Sequence, residues 1–273
     1  YKVMVKLAIR DDDANFFTKV EDIEFVYKDF EGFPISFAVV PHVMDVSTKG
    51  TCSDTKGNTT PRDIDKNIEL CLWFREKYVR KECDILLHGI THQYKVDGNI
   101  RYPEMIWSGM SGNKLIIKNI KLAKDYLEYA LKCQISVFVA PSNMISKKCL
   151  NAVVANNMHF SGIVPINFQR NLTIQNIISY CKRWYYRVTI GFAYPGVLKY
   201  SDHLEINACA LRSLTYLKAL FDYCDKNNLP MVVNVHYWHL RDNPEYLEML
   251  RSFVMDYAIP KGAQPTLLSN ILK

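Results

Sequence analysis

Val3-Met4-Val5-Lys6-Leu7-Ala8-Ile9-Arg10-Asp11-Asp12-Asp13 runs from an apolar stretch straight into three carboxylates. Its first seven residues, Val3–Ile9, read as a strand, because a short apolar run of this kind suits a sheet covered on both faces. Three aspartates together are unfavourable unless a cation or hydrogen-bond donors compensate. Either one or two of them cap the helix expected from Thr18 or form an Asx turn, or the strand end is a site. Arg10 bears on the choice, since an adjacent guanidinium can orient one carboxylate and keep it ionised.

A second apolar run, Asp84-Ile85-Leu86-Leu87, leads into His88-Gly89-Ile90-Thr91-His92. Histidines four residues apart on one helical turn face the same way and can share a metal, although two surface histidines have the same spacing. Gly89 permits a tight turn toward a site. One aspartate and two histidines leave coordination positions open for water and substrate, which is a catalytic arrangement and not a closed structural one. Near the other end, Val232-Val233-Asn234-Val235-His236-Tyr237-Trp238-His239 is a strand ending in a histidine, able to give a proton to a leaving group at neutral pH. A divalent cation beside a free aspartate and a histidine points to a hydrolase. His42 and His239 read as supporting or substrate-side residues, His159 and His203 as structural.

Strand-like runs alternate with helical patterns along the chain. Strands are expected at Val3–Ile9, Pro34–Val40, Cys83–Leu87, Ile135–Val139, His159–Gly162, Arg187–Phe192 and Met231–Val235. Helices are expected at Thr18–Phe30, Pro61–Tyr78, Asn113–Leu131, Ser146–Ala155, Asn171–Arg183, Glu205–Asn227 and Pro244–Tyr257. Asn113 and Ser146 suit N-caps, and Pro61 a first helical turn. Such alternation calls for parallel pairing. No linker or repeat divides the chain, so residues 1–273 are expected to form a single α/β domain. Its expected form is a distorted (β/α) barrel of about seven parallel strands, with a doubly wound open sheet as the alternative. In a barrel, Asp11–Asp13, His42, His88–His92, Pro141-Ser142-Asn143, Tyr194-Pro195 and His236–His239 all fall at the catalytic ends of the strands.

Bulk properties narrow the partners. The net charge is +6, but the charges are interspersed, and no basic block marks a nucleic-acid footprint. Eight cysteines lie scattered, none as C-x2-C, which excludes a zinc ribbon and suits small core hydrophobes in a reducing compartment. No apolar run reaches the roughly 18 residues of a membrane span, and no signal-peptide pattern opens the sequence. A cytoplasmic location is the expectation. The first residue is Tyr1 and not Met, which suits either a trimmed chain or a domain of something longer.

The strand-end motifs, in this order, resemble those of the polysaccharide deacetylase superfamily (the NodB-homology, or carbohydrate esterase family 4, fold) from Leu7 to His239. The Arg-x-Asp-Asp start and His-Tyr-Trp end are similar to its divergent bacterial branches, including the WbmS-like group linked to surface polysaccharide. The resemblance implies Asp12 as base and Asp13 as metal ligand, with Asp11 and Asp12 as the alternative register. It implies His88 and His92 as further ligands, with Gly89 where the family carries a hydroxyl residue, and His236 as general acid. The family's Arg-x-Pro-Tyr motif stands here as Val139-Ala140-Pro141-Ser142; its arginine is missing, and Arg10 is the candidate substitute. Ala14 replaces the glycine after the aspartates.

The implied activity is removal of an acyl group, most often N-acetyl, from a sugar or surface polysaccharide. A divalent metal, expected to be zinc, would lower the pKa of its bound water toward about 7, and that water would attack the carbonyl. Asn143, Trp238 and Tyr194 are candidate substrate contacts, with Trp107 and Tyr237 as further pocket aromatics. Asp45–Pro61 and Gln93–Gly112 are expected mouth loops. Two rival readings stand beside this one: an inactive glycan-binding protein on the same fold, and a hydrolase of O-acetyl esters or non-sugar amides.

Overall fold

The computed structural model describes residues 4–46, 52–162 and 168–273. Val3, the expected start of the first strand, and part of the expected loop Asp45–Pro61 lie outside them. The strands are β1 (Lys6–Ala14), β2 (Ile35–Val39), β3 (His42–Val43), β4 (Arg62–Asp63), β5 (Cys83–His88), β6 (Lys95–Asp97) and β7 (Ile100–Tyr102). They continue with β8 (Val137–Val139), β9 (His159–Gly162), β10 (Leu198–Lys199), β11 (Leu204–Asn207), β12 (Cys209–Ala210), β13 (Met231–Val235) and β14 (Gln264–Pro265). The α-helices are α1 (Val20–Tyr27), α2 (Ile68–Val79), α3 (Glu104–Trp107), α4 (Asn113–Leu131) and α5 (Lys147–Ala155). After them come α6 (Ile174–Ile190), α7 (Leu214–Asn227), α8 (Tyr237–Asp242), α9 (Pro244–Phe253) and α10 (Leu268–Ile271).

The main sheet runs β10-β11-β9-β8-β5-β2-β1-β13-β12, with β14 added beside β1. Its neighbours are parallel except β10 and β11. The sheet curls. Arg10 on β1 donates to Ser161 Oγ on β9 at 3.0 Å, whereas four strand spacings in a flat sheet would separate these strands by roughly 19 Å. An open, flat doubly wound sheet is thereby excluded, and the architecture is a barrel left incomplete between β10 and β12.

Alternation along the strands sorts the two faces. Ala8, Ala38, Leu86, Val137, Ile206 and Val232 gather inside the barrel, closed below by Leu268 and Ile271 of α10. Ser36 Oγ accepts from Leu268 N and Asp84 Oδ2 from Ser269 N, both at 2.9 Å, which seats that short helix. On the outer face Leu7, Ile9, Ile35, Phe37, Ile85 and Leu87 join the large core beneath the helices. α4 packs there through Ile116, Ile120, Ala123, Leu127 and Ala130, the spacing of one helical face.

Several elements differ from expectation. Arg187–Phe192 is no strand: it is the last turn of α6, and Gly191 at φ 78° stops the helix. Its β-branched Val188 is 80 % exposed, so the strand-like composition there serves no sheet. Glu205–Asn227 begins as strands β11 and β12; the helix starts only after Ser213, whose hydroxyl caps Tyr216 N. Pro61 precedes β4, and α2 starts after Asn67, whose side chain accepts from Leu70 N. Asn113 is the first residue of α4, with Gly112 as its cap, whereas Ser146 does cap α5. α9 ends at Phe253 and gives way to a π turn over Val254–Ala258.

Candidate metal centre

Strand alternation decides the register of the aspartates. Arg10 and Asp12 point into the barrel, while Asp11 shares the outer face with Leu7 and Ile9. There it accepts from Tyr27 Oη at 2.5 Å and from Tyr237 N at 2.8 Å. Burial, helped by the Asp12 and Asp13 carboxylates, pushes its pKa from 3.8 up to about 8 against those two hydrogen bonds. Asp13 would return to this face but for a local irregularity. Its φ is 76°, and the pairing of β1 with β2 slips between Asp11 and Ala14. Such a bulge re-aims a side chain, and Asp13 turns to the mouth. Asp12 and Asp13 are therefore the pair that reaches the site.

Asp13 Oδ1 lies 3.0 Å from His88 Nε2 and 3.2 Å from His92 Nε2. His88 is the last residue of β5. The path to His92 is a left-handed turn and not a helix, with Gly89 at φ 64° and His92 at φ 58°. The expected helical spacing is thus replaced by a turn that brings both rings to one carboxylate. His88 Nδ1 lies 3.0 Å from the Val139 carbonyl. That contact puts the ring proton on Nδ1 and leaves a lone pair on Nε2, facing the carboxylate. Two lone-pair donors at this distance require a proton or a cation between them. The three ligand atoms lie within 4.8 Å of one another, all on buried residues, a donor set that fits a divalent ion.

The electrostatics agree. Burial opposes charge on Asp13, but His92, with His88 and His236, holds its carboxyl well below the usual range. Burial likewise opposes a charged His92, and Asp13, with Glu104, outweighs it and raises the ring's pKa.

Asp12 is held separately. Arg10 donates to it through Nε (2.9 Å) and Nη2 (2.7 Å), and Asn234 Nδ2 donates at 2.8 Å. Arg10 Nη2 also reaches Asn143 Oδ1 at 3.2 Å. The expected substrate contact Asn143 is thus part of the cradle around Arg10. His236, at the end of β13 and about a third exposed, brings Nε2 to 3.7 Å from Asp13 Oδ2. Trp238 donates its indole N–H to the same oxygen at 3.2 Å and packs beside the His236 ring.

Other expected residues lie elsewhere. Tyr194 does not join the site: it packs with Tyr186, Leu198 and Tyr200, under the Lys182 ammonium. Tyr237 is fully buried, its hydroxyl on Thr18. His42 pairs with Asp63 at 2.6 Å, and His239 with Asn243. Trp107 donates to the Gln93 carbonyl. A cavity of about 760 Å³ lies at the opposite end of the strands, around Tyr27, Phe33, Trp73 and Cys83, and takes in none of the site residues. Sequence reasoning missed Asn234, Ser161 and Glu104. Asn234 alone left a signal, standing on β13 two residues before His236.

One solved structure is similar to this chain in fold. A protein of Mycobacterium smegmatis assigned as a polysaccharide deacetylase superposes with a TM-score of 0.57 at 10 % identity, over 98 % of this chain and 89 % of its own. The chain has the polysaccharide deacetylase fold. Two further structures each score 0.49 at 10 % identity. The Xyl-CE4 domain of a multidomain xylanase from the hindgut metagenome of Trinervitermes trinervoides matches over 98 % of this chain and 89 % of its own. The family 4 carbohydrate esterase of Streptomyces lividans matches over 95 % and 90 %. No family model and no curated protein matches the sequence. Among the described residues no helix is long and apolar enough to cross a membrane.

Proposed function

We propose that the protein is a metal-dependent hydrolase that removes an acyl group, in the first place N-acetyl, from a sugar. One observation carries the reading: Asp13, His88 and His92 converge through a single carboxylate oxygen, while the neighbouring Asp12 is held apart by Arg10. Binding alone has no use for that second carboxylate.

Asp13, His88 and His92 would hold the ion, and zinc suits one carboxylate with two imidazoles. Bound there, the ion supplies a Lewis acid and acidifies water. Asp12 accepts the proton of the attacking water; Arg10 and Asn234 fix the direction of its oxygens. His236, the most exposed of these groups, delivers a proton to the departing amine. Trp238 restrains Asp13 and offers its ring beside His236 as a surface for a sugar.

The test is acetate release from N-acetylated and O-acetylated oligosaccharides by zinc-loaded and chelator-stripped protein, with metal counted per chain. Zinc-dependent release from the amide substrates supports the proposal, and preferential release from the esters transfers it to the ester bond. Glycan binding without release under any divalent metal would overturn it in favour of a binding protein.

A further inference from the structure

Glu104 opens α3, twelve residues after His92, and is 2 % exposed and turned into the His88–His92 loop. Its Oε2 accepts from Ile90 N and His92 N, both at 3.0 Å. Its Oε1 accepts from Thr91 N at 2.8 Å and Thr91 Oγ1 at 3.0 Å. Three consecutive backbone N–H groups and one hydroxyl thus converge on a single carboxylate. Without it they would lose their acceptor at a part-buried turn, which is costly.

Gly89 is the other half of the arrangement. A Cβ built on it would overlap both Glu104 Oε2 and the Pro141 ring, and its φ of 64° already disfavours a side chain. The carboxylate of Glu104 occupies the volume into which a hydroxyl-bearing residue at position 89 would project. A residue of α3 fills the inner side of the turn. His92 also lacks the anchor that His88 has: His88 Nδ1 meets the Val139 carbonyl, whereas His92 Nδ1 is buried without a partner. The placement of the His92 ring depends on its backbone, and Glu104 holds that backbone.

We propose that Glu104 is the positioning residue of the metal centre, fixing His92 at φ 58° so that its Nε2 meets Asp13. The inference rests on the metal-site reading above. It assigns Glu104 no contact with metal or substrate.

The experiment is titration of the metal-free protein with Co²⁺, followed by its visible absorption, in wild type, Glu104→Gln and Thr91→Val. Glutamine keeps the shape but turns an NH₂ toward N–H groups that need an acceptor. Glu104→Gln should bind about 10–100-fold more weakly, the range for outer partners of metal ligands, with altered visible bands. Thr91→Val removes the hydroxyl's bond to Glu104 together with the one it accepts from Gln93 N; it should keep the fold and weaken binding several-fold, and it carries the test if Glu104→Gln does not fold. Wild-type affinity and spectrum in folded Glu104→Gln, or in Thr91→Val where that variant carries the test, overturn the inference and leave the metal site standing. No specific Co²⁺ binding by wild type overturns both.

Discussion

Arg10 grips Asp12 through two hydrogen bonds, Nε to Oδ1 at 2.9 Å and Nη2 to Oδ2 at 2.7 Å, with only one residue between them on β1. Residues two apart on a strand share a face, so the long guanidinium can fold back onto its neighbour. Its third nitrogen ties β1 to Ser161 on β9. The resemblance places an arginine at Val139, the last residue of β8, and the turn that follows supplies Asn143 as an acceptor for Arg10.

Replacing the fork without removing the charge isolates this relationship. Arg10→Lys keeps a cation but loses the planar pair of donors. Under the proposed reaction, kcat should fall on the order of 10²-fold, the cost of a small misplacement of a reacting group, with KM little changed. Arg10→Met should instead destabilise the fold by about 3–5 kcal/mol, because Asp12 is left buried beside no cation. Steady-state kinetics and urea melts separate the two effects; full activity in Arg10→Lys would count against Asp12 as the base.

Asp12 and His92 should part company in the same assays. Asp12→Asn leaves the Asp13, His88 and His92 ligands intact, so one ion per chain should remain while acetate release stops. His92→Ala removes a ligand and should lose both. Elemental analysis beside the activity assay reads the pair, and turnover in folded Asp12→Asn would dismiss the mechanism.

The residues that converge on the candidate metal centre were legible in the sequence because they stand at strand ends, and apolar runs mark strands well. Asp12–Asp13, His88 and His236 each follow such a run. Glu104 could not be seen: its role is made by α3 packing back onto the Ile90–His92 backbone, and nothing local distinguishes it. The convergence of His88 and His92 was expected for a wrong reason, a helical turn, when Gly89 and a left-handed His92 do the work. Leu204–Asn207 was hidden because Glu205 suggests a helix surface until Arg170 and Arg183 are known to cover it. Tyr194 misled because an aromatic beside a proline reads alike at a barrel mouth and in a satellite cluster.

Asp11 gives the metal-free protein a pH dependence of defined sign. Its pKa is raised from 3.8 to about 8 by burial and the neighbouring aspartates. Between those values the folded chain holds a proton that the unfolded chain has released, so stability falls as pH rises through the window, by up to about 1.4 kcal/mol per pH unit. Asp11→Asn should flatten that slope. Urea midpoints between about pH 5 and about pH 7 measure it, and an unchanged slope in the variant would show that Asp11 is already ionised in the fold.

Glu205 titrates in the opposite sense, at a different place in the barrel. It is fully buried and accepts from Arg170 (Nε 2.8 Å, Nη2 2.7 Å) and Arg183 (3.0 Å), and its Oε1 lies 2.7 Å from His203 Nε2. Burial opposes its charge, but Arg170 and Arg183, with the His203 contact, outweigh it and hold the carboxyl well below the usual 4.5. A depressed folded-state pKa contributes stability above the unfolded value that is lost as pH falls below it. Glu205→Gln should therefore lower stability at neutral pH by about 3–5 kcal/mol, since two buried guanidiniums lose their counter-charge. It should also lose less than wild type on acidification. The cluster joins β11, α6 and the segments before each of them, none of which carries Asp13, His88 or His92, so metal stoichiometry in the folded variant should stay unchanged. Thermal melts at neutral and acid pH, with metal counted in parallel, check both halves: a stable Glu205→Gln would mean the arginines find other partners, and lost metal would mean that this edge of the sheet supports the site.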